Sequence, residues 1–435
     1  MEKGTINILC KQFGINEKVI KFVNFKESLI KEKFNKIDKI KEYNQYKIIE
    51  GMHRAKLGST DFGWTTGYGY GDIGRDKVEK IYANVFNTED ALVRPIIVSG
   101  THAITLTLSG ILRPEDELIS ITGSPYDTLQ KIIGAKGTED GTLSDYGVRY
   151  KEIPLKNGKI DVNKVLDNIS AQTKILLIQR STGYSDRKAI TIDEMEYAIK
   201  KIKGKNEKII IMVDNCYGEF VETREPTDVG ADVVAGSLIK NPGGGLALSG
   251  GYIVGKSKLI EQVSNRSTAP GLGKDCGLTF GTTRTTLQGF YLAPHVVSEA
   301  AKGALLVGIV YKGLGFDIIP EIDEARSDII QAIKFGSPDK VVEFCKGIQG
   351  ASISDSYVTP IPWDMPGYED KVIMAAGGFV DGSSIELSAD APMRQPYYVY
   401  YQGGLTYEHC KLGVMKSLNN LCTNKLVDIN KLTVG

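Results

Sequence analysis

The chain has 435 residues, enough for two or three domains of ordinary size around a substantial core. With 53 Lys+Arg against 53 Asp+Glu the formal net charge is +0, which argues against a nucleic-acid coat or a polybasic membrane binder, and 42% hydrophobic with 24% charged residues excludes a wholly disordered chain. Six Cys with no C-x-x-C pair and four His with no close pair argue against a disulfide scaffold and a protein-built zinc site, so no metal is expected.

The N-terminal MEKGTINILCKQFG lacks a basic region followed by a long apolar stretch. No apolar run approaches the ~18–20 residues of a membrane span, and the cytoplasm is the expected compartment. Residues 17–57 carry Val19, Ile20, Val23, Leu29, Ile30, Phe34, Ile37 and Ile40 at helical steps among Lys and Glu. This predicts an N-terminal helical arm, 1–65, either solvated or making a dimer contact. The middle alternates apolar runs with helical stretches: strands at 93–99, 117–122, 174–179, 208–213, 231–235 and 250–254, helices at 103–112 and 129–134. Continuous Ile/Val/Leu runs suit strands buried on both faces, and their alternation with helices predicts α/β architecture with a mostly parallel central sheet. From about residue 320 the pattern changes: 329–335 and 341–348 read as helices, 372–377, 379–387 and 397–401 as strands. The expected organisation is a large domain, 66–315, and a smaller α+β domain, 316–435.

Open parallel sheets bind ligands beyond the carboxyl ends of their strands, so the residues following each strand carry the functional reading. Gly100-Thr101-His102 is a small-residue turn opening a helix, suited to phosphate, although an ordinary strand–helix turn looks the same. Tyr126 follows the next strand and can stack on a flat ligand or simply edge the core. Arg180 follows the third and offers a carboxylate or phosphate partner, or a surface loop Arg. Asp214 ends the fourth, where a carboxylate needs a cation, a metal or a protonated ring nitrogen. Cys216 beside it reads as packing. Lys240 follows the fifth, before Gly243-Gly244-Gly245; a Lys in such a partly dry cleft is expected to have a lowered pKa and to act as nucleophile or base. Gly69-x-Gly71-x-x-Gly74 fits a dinucleotide fingerprint but follows no convincing strand, and is rejected.

In this order, a phosphate turn, an aromatic, a strand-end Asp, and Ser237 three residues before Lys240 resemble the fold-type I pyridoxal-phosphate enzymes of cysteine and methionine metabolism. Gly100 and Tyr126 lie 26 residues apart, as do Asp214 and Lys240, and both intervals resemble that family's. The stretches GYGYGDIGRDKVEKIYANVF, VRPIIVSGTHAI, TGSPYDTL, VDNCYGEF, GSLIKNPGGG and RQPYYVYYQGGLTY are similar to its methionine gamma-lyase-like, or aluminium-resistance, carbon–sulfur lyase branch, over roughly residues 15–425.

The resemblance implies an aspartate aminotransferase-like fold and pyridoxal 5'-phosphate carried on Lys240. Asp214 would pair with the ring nitrogen, Tyr126 would stack on the ring, and Gly100, Thr101 and Ser237 would hold the phosphate. Tyr70 and Arg75 would reach the phosphate from a neighbouring subunit in a homodimer or homotetramer with active sites at the interface, while Arg394 would bind the substrate carboxylate. Lys240, Tyr126 and Asp214 are the expected catalytic set. Departures are visible: Ile239 replaces the usual Thr before the Lys, Tyr70 and Arg75 are more widely spaced than usual, and Gln179-Arg180-Ser181 replaces the usual Asn-Pro. Arg180 and Arg284 therefore compete with Arg394 for the carboxylate, and Gln179 or Arg180 could bond the ring hydroxyl. His102 has no assigned role. The implied activity is a carbon–sulfur lyase acting on cystathionine, cysteine or methionine-type amino acids by Cα deprotonation and β- or γ-elimination. Another pyridoxal-phosphate reaction (transamination, aldol cleavage or γ-replacement), a non-catalytic sensor of the same fold, and a nucleotide-binding α/β enzyme remain alternatives.

Overall fold

The structure, a computed structural model, describes residues 2–365 and 368–434. It divides into two compact units: Glu42–Gly183 with Lys188–Pro294, and Met1–Lys41 with Tyr184–Arg187 and His295–Gly435.

The first unit is built on seven strands: β1 (Asp90–Arg94), β2 (Glu117–Ser120), β3 (Arg149–Glu152), β4 (Thr173–Gln179), β5 (Ile210–Asp214), β6 (Val233–Ser237) and β7 (Gly251–Gly255). Their order is β1-β7-β6-β5-β4-β2-β3. The pairs β2–β3, β2–β4, β4–β5 and β5–β6 are parallel, whereas β7 runs antiparallel to both β6 and β1. The mostly parallel sheet is as expected, with β7 as the reversed strand and β3 as a strand the apolar runs did not reveal. Residues of β4, β5 and β6 such as Ile175, Leu177, Met212, Val233 and Ala235 are buried together with Ala103, Ile104 and Leu108 of helix Gly100–Ile111 and with Ile260 and Val263 of helix Ser257–Ser267. Gly110 lets those two helices meet, since a Cβ there would lie 2.9 Å from the Val263 Cα. Another buried cluster is aromatic, with Tyr82 and Phe290 stacked at 4.0 Å and Phe86 and Tyr252 at 5.3 Å.

The second unit holds an antiparallel sheet of β8 (Asp317–Ile319), β9 (Gln331–Lys334), β10 (Val372–Ala376), β11 (Ser388–Pro392) and β12 (Tyr398–Gln402), in the order β10-β11-β12-β9-β8. Helices Pro338–Gln349 and Tyr407–Thr423 pack on each other, and the first packs on β10 and β11. Two expectations fail here. The 329–335 segment is strand β9 rather than a helix, pinned where the Gln331 amide donates to the carbonyls of Ile319 (2.9 Å) and Pro320 (3.1 Å). The 379–387 segment is a loop rather than a strand, folded around the Glu386 carboxylate, which accepts from the N–H groups of Phe379 (3.1 Å) and Val380 (3.4 Å).

The division also differs from the expected boundaries at 65 and 315. The 1–65 arm does not stand apart: helix Glu17–Ser28 buries Val19, Ile20, Phe22 and Val23 in the core of the second unit, with Asn16 N–H donating to Asn419 Oδ1 (2.9 Å). Residues from 42 onward belong instead to the first unit, where Asn44 donates to the carbonyls of Phe220 (3.2 Å) and Glu222 (3.0 Å). The other boundary moves to 294/295 because Leu305, Leu306, Val307, Val310 and Tyr311 of helix Thr283–Lys312 lie in the second unit's core. That helix is long and apolar enough to cross a membrane by length and composition, but 78% of its most apolar stretch is buried within the protein.

Candidate active site

In the first unit, the register of the sheet places Gln179, Asp214 and Ala235 side by side at the carboxyl ends of β4, β5 and β6. Ser237 ends β6 and Lys240 follows it at the start of a short 3-10 turn, Asn241–Gly243. A second approach comes from helix Gly100–Ile111. Ser99 caps it by accepting from the His102 N–H at 3.0 Å, leaving the Gly100 and Thr101 backbone at its positive end. Gly100 fits because of what surrounds it: a Cβ there would lie 3.1 Å from both Cys216 Sγ and Ser237 Cβ. Gly100, Cys216 and Ser237 are therefore neighbours in space, although 116 and 137 residues separate the latter two from the first.

Tyr126 is drawn into the same place. Its N–H donates to Gln179 Oε1 at 2.9 Å and its hydroxyl donates to Thr101 Oγ1 at 3.0 Å. Burial and the Asp214 charge push that hydroxyl far above the ordinary tyrosine range, so it remains a proton donor. Asp214 is buried, and its Oδ1 accepts from the Cys216 N–H at 3.1 Å. Cys216 is a buried thiol raised by burial and by Asp214, consistent with packing rather than nucleophilic use.

The Lys240 Nζ lies 4.0 Å from the centre of the Tyr217 ring. Burial disfavours its ammonium, but the acidic groups of Cys216, Tyr217, Asp214 and Tyr126 outweigh burial and hold its pKa above the ordinary lysine value. The expected lowered pKa is thus reversed: the amine is held as a cation, and it must lose its proton before acting as a nucleophile. Tyr217, which the sequence reading did not single out, sits in a left-handed backbone conformation (φ 72°) that aims its ring at Lys240. The signal available was its place in VDNCYGEF, three residues beyond a strand-end Asp.

Beneath the site, Glu219 is fully buried, with Tyr252 OH donating to its Oε1 at 2.7 Å. Burial pushes its pKa up to about 8, against the lowering effect of the Tyr252 hydrogen bond. The folded chain therefore keeps a proton that the unfolded chain releases above its ordinary value of 4.5. Stability is expected to decline as pH rises from about 4.5 to about 8. In Glu219→Gln this part of the decline should vanish, read as a flatter urea-midpoint profile across that window. An unchanged slope would place the titrating group elsewhere.

Three expected residues have other employment. Arg180 is fully buried: Nη1 donates to Asn215 Oδ1 (2.7 Å), Nη2 to Glu222 Oε1 (3.1 Å), and Glu225 Oε2 lies 3.5 Å away. With these partners it is an internal ion-pair centre rather than the expected carboxylate ligand. Arg75 is likewise buried, with Nη1 donating to the carbonyls of Gly69 (2.7 Å), Gly277 (3.1 Å) and Asp275 (3.3 Å) and Nε to Asp76 (2.9 Å). These partners hold its Nη1 and Nε groups to its own chain within the first unit. Arg284 is exposed, its guanidinium 4.4 Å above the Phe62 ring. Tyr70 is 58% exposed beside Tyr68. His102 acquires a role: its Nδ1 accepts from the Val98 N–H at 3.2 Å, and burial lowers its pKa, so the neutral ring fastens the turn before Gly100. Arg394 lies in the second unit, donating to Asp370 Oδ2 (3.1 Å) and to the Tyr184 carbonyl (3.4 Å). Among the described residues no group of three or more His, Cys, Asp or Glu could hold a metal ion.

The uncharacterized protein YnbB of Bacillus subtilis (strain 168) is 50% identical over 393 residues, 90% of this chain and 93% of that protein. A solved carbon–sulfur lyase involved in aluminum resistance from Clostridium novyi NT is 47% identical, with TM-score 0.92 over 97% of this chain and 100% of that one. A solved protein from Clostridium acetobutylicum, provisionally a cystathionine beta-lyase involved in aluminum resistance, is 49% identical, with TM-score 0.94 over 97% and 100%. At 16% identity, the pyridoxal-5'-phosphate dependent protein YhfS of Escherichia coli shares the fold alone, with TM-score 0.60 over 88% of this chain and 96% of that one. The fold is that of the fold-type I pyridoxal-phosphate enzymes. The family model for methionine gamma-lyase matches residues 19–422, nearly the whole of both units, and the chain belongs to that family.

Proposed function

We propose that this chain is a pyridoxal-phosphate-dependent carbon–sulfur lyase that releases a thiol, a keto acid and ammonia from a cystathionine-, cysteine- or methionine-type amino acid. The observation that carries this reading is the convergence of Lys240, Asp214 and Tyr126 on the Gly100 helix terminus at the carboxyl ends of β4–β6. The residues fit the cofactor. Lys240 as a residue is half-buried with its amine inside the pocket, a buried carboxylate lies beside it, and the Gly100 turn is a place where a phosphate could meet backbone N–H groups.

In this reading Gly100, Thr101 and Ser237 hold the phosphate, Asp214 pairs with the ring nitrogen, Tyr126 covers the ring, and Lys240 attaches the cofactor. Pyridoxal phosphate supplies an electron-withdrawing ring that accepts the electron pair left at Cα. Lys240, freed as a neutral amine, takes the Cα proton. The C–S bond then breaks at Cβ, or at Cγ after a second proton transfer by Lys240 or Tyr126, and the sulfur leaves as thiol. A homodimer or homotetramer with its sites at the subunit interface belongs to the same proposal, supported by the exposed Trp64, Tyr68, Tyr70 and Ile73; Tyr70, not Arg75, is the residue left to face a partner's site. The proposed compartment is the cytoplasm, by its family.

The test is direct. The purified chain supplied with pyridoxal phosphate should turn yellow, and with cystathionine it should release keto acid, ammonia and thiol in equal amounts. No colour would reject the cofactor. A yellow protein that returns keto acid without thiol would be an aminotransferase, and one without turnover a sensor.

A further inference from the structure

Among the described residues, the Lys240 Nζ makes the shortest approach of any cation to a ring. It stands 4.0 Å from the centre of Tyr217, against 4.4 Å for the Arg284 guanidinium over Phe62 and 5.2–5.9 Å for the others. A cation is drawn to the electron-rich face of an aromatic ring, and the attraction grows where water is excluded. Arg284 is exposed, whereas the Lys240 amine is buried.

The backbone is shaped for this contact. Tyr217 takes a left-handed conformation (φ 72°), which glycine adopts freely and tyrosine seldom, although a glycine stands next to it at 218. Such a conformation persists only where its surroundings impose it. Here the turn is held on both sides of Tyr217. The Cys216 N–H donates to Asp214 Oδ1 at 3.1 Å, and the Gly218 N–H donates to the Asn215 carbonyl at 2.9 Å. Arg180, which holds the Asn215 side chain, lies against Gly218: a Cβ there would be 2.6 Å from its Nε. The glycine makes room for Arg180, and the left-handed position falls to the tyrosine.

We infer that Tyr217 is a positioning residue for Lys240: its ring face holds the ammonium in place and stabilises the charge that the amine gains when it accepts a proton. The other groups around the amine are Asp214, Cys216 and Glu219 on the chain following β5, and Tyr126 just before helix Asp127–Ile133. Burial keeps the Cys216 thiol and the Tyr126 hydroxyl neutral, and Glu219 retains its proton up to about 8. Asp214 is the charged partner, and in the lyase reading the cofactor's ring nitrogen engages it, which leaves the Tyr217 face with the amine. The catalytic meaning of the contact rests on that reading: a Cα proton taken by Lys240 leaves its positive charge over Tyr217.

The experiment is competitive acetylation of the full chain freed of pyridoxal phosphate. Trace acetic anhydride is added at about pH 9, and the Lys240 peptide is read by mass spectrometry against that of the exposed Lys136. Only the neutral amine reacts, so reactivity reports the fraction of Lys240 that has lost its proton. Tyr217→Phe keeps the ring face and should leave the ratio within about twofold. Phenylalanines bearing one, two and three ring fluorines at position 217 keep the shape, so fold and access stay fixed while each fluorine draws electrons from the face. Lys240 reactivity should climb stepwise, by roughly tenfold across the series. A series without a trend would overturn the inference. So would a rise in Tyr217→Phe as large as that of the trifluorinated form, which would assign the effect to the hydroxyl. Neither cofactor nor substrate takes part, so failure of the lyase reading would leave the trend in place, and absence of the trend would leave that reading to its own test of colour and turnover.

Discussion

Replacing Lys240 with alanine is expected to give a folded protein that no longer turns yellow with pyridoxal phosphate and whose turnover falls by at least about 10²–10⁴-fold, the range of a single lost acid–base group. The fold should survive because the Lys240 backbone is held by its neighbours rather than by its own side chain. The following glycines are clamped onto helix Thr283–Lys312: a Cβ on Gly244 would lie 2.3 Å from the Gly289 carbonyl oxygen, and one on Gly289 would lie 2.1 Å from that of Gly243. Asn241 is fastened independently, donating to the Glu219 carbonyl at 3.0 Å. What alanine removes is the cation held beside Cys216, Tyr217, Asp214 and Tyr126. Lys240→Arg separates the two roles of the side chain. It restores the positive charge but cannot form the covalent attachment, so it should match alanine in colour and turnover while regaining any stability alanine loses. Colour and turnover surviving in both variants would mean that another amine carries the cofactor.

Much of the site was readable because its members follow strands that advertise themselves. Ile175–Ile178, Ile211–Val213 and Val233–Ala235 are fully buried apolar runs, and the polar residue ending each run necessarily stands at the sheet's carboxyl edge. The arginines were not readable in this way. Residue type and a strand-end position made Arg180 look like a ligand-binding group. Its occupation is decided by Asn215, Glu222 and Glu225, between 35 and 45 residues further along, brought under it only by the β4–β5 pairing. Arg75 failed for the same reason, because the 275–277 loop that uses it lies 200 residues away.

Strand ends and strand direction were the harder parts of the fold. The 93–99 run reads as one strand, but β1 stops at Arg94 because Pro95 has no N–H to continue the ladder; Val98, the most apolar-looking end of that run, is exposed. Nothing in the composition of β7 distinguishes it from its parallel neighbours, since a strand buried on both faces is apolar whichever way it runs. In the second unit the helical steps of 329–335 were misleading because β9 buries a polar residue, Gln331, whose amide serves the chain near Ile319. Periodicity counts apolar side chains and is blind to a buried amide with fixed partners.

Arg180→Met is expected to destabilise the protein by about 3–5 kcal/mol, the usual result of removing one partner from a buried ion pair. Arg180 has 0% exposure, as does Glu225 opposite it, so methionine would leave the Glu225 carboxylate in the interior with the Asn215 amide (3.1 Å) and the Phe220 N–H (2.9 Å) as its hydrogen-bond donors. The damage would reach the site, because Asn215 follows Asp214 directly and loses the guanidinium that orients its side chain. Urea denaturation would show a lower midpoint with an unchanged slope. The double variant Arg180→Met with Glu225→Gln should recover part of the loss, since the glutamine keeps the hydrogen-bonding shape of Glu225 without its charge; the size of that recovery measures the coupling. A ligand for the substrate carboxylate would behave in the opposite way. Its removal would raise KM with little change in the denaturation midpoint, and Glu225→Gln would restore nothing. An unshifted midpoint together with a raised KM would return Arg180 to the substrate and show the ion-pair assignment to be wrong.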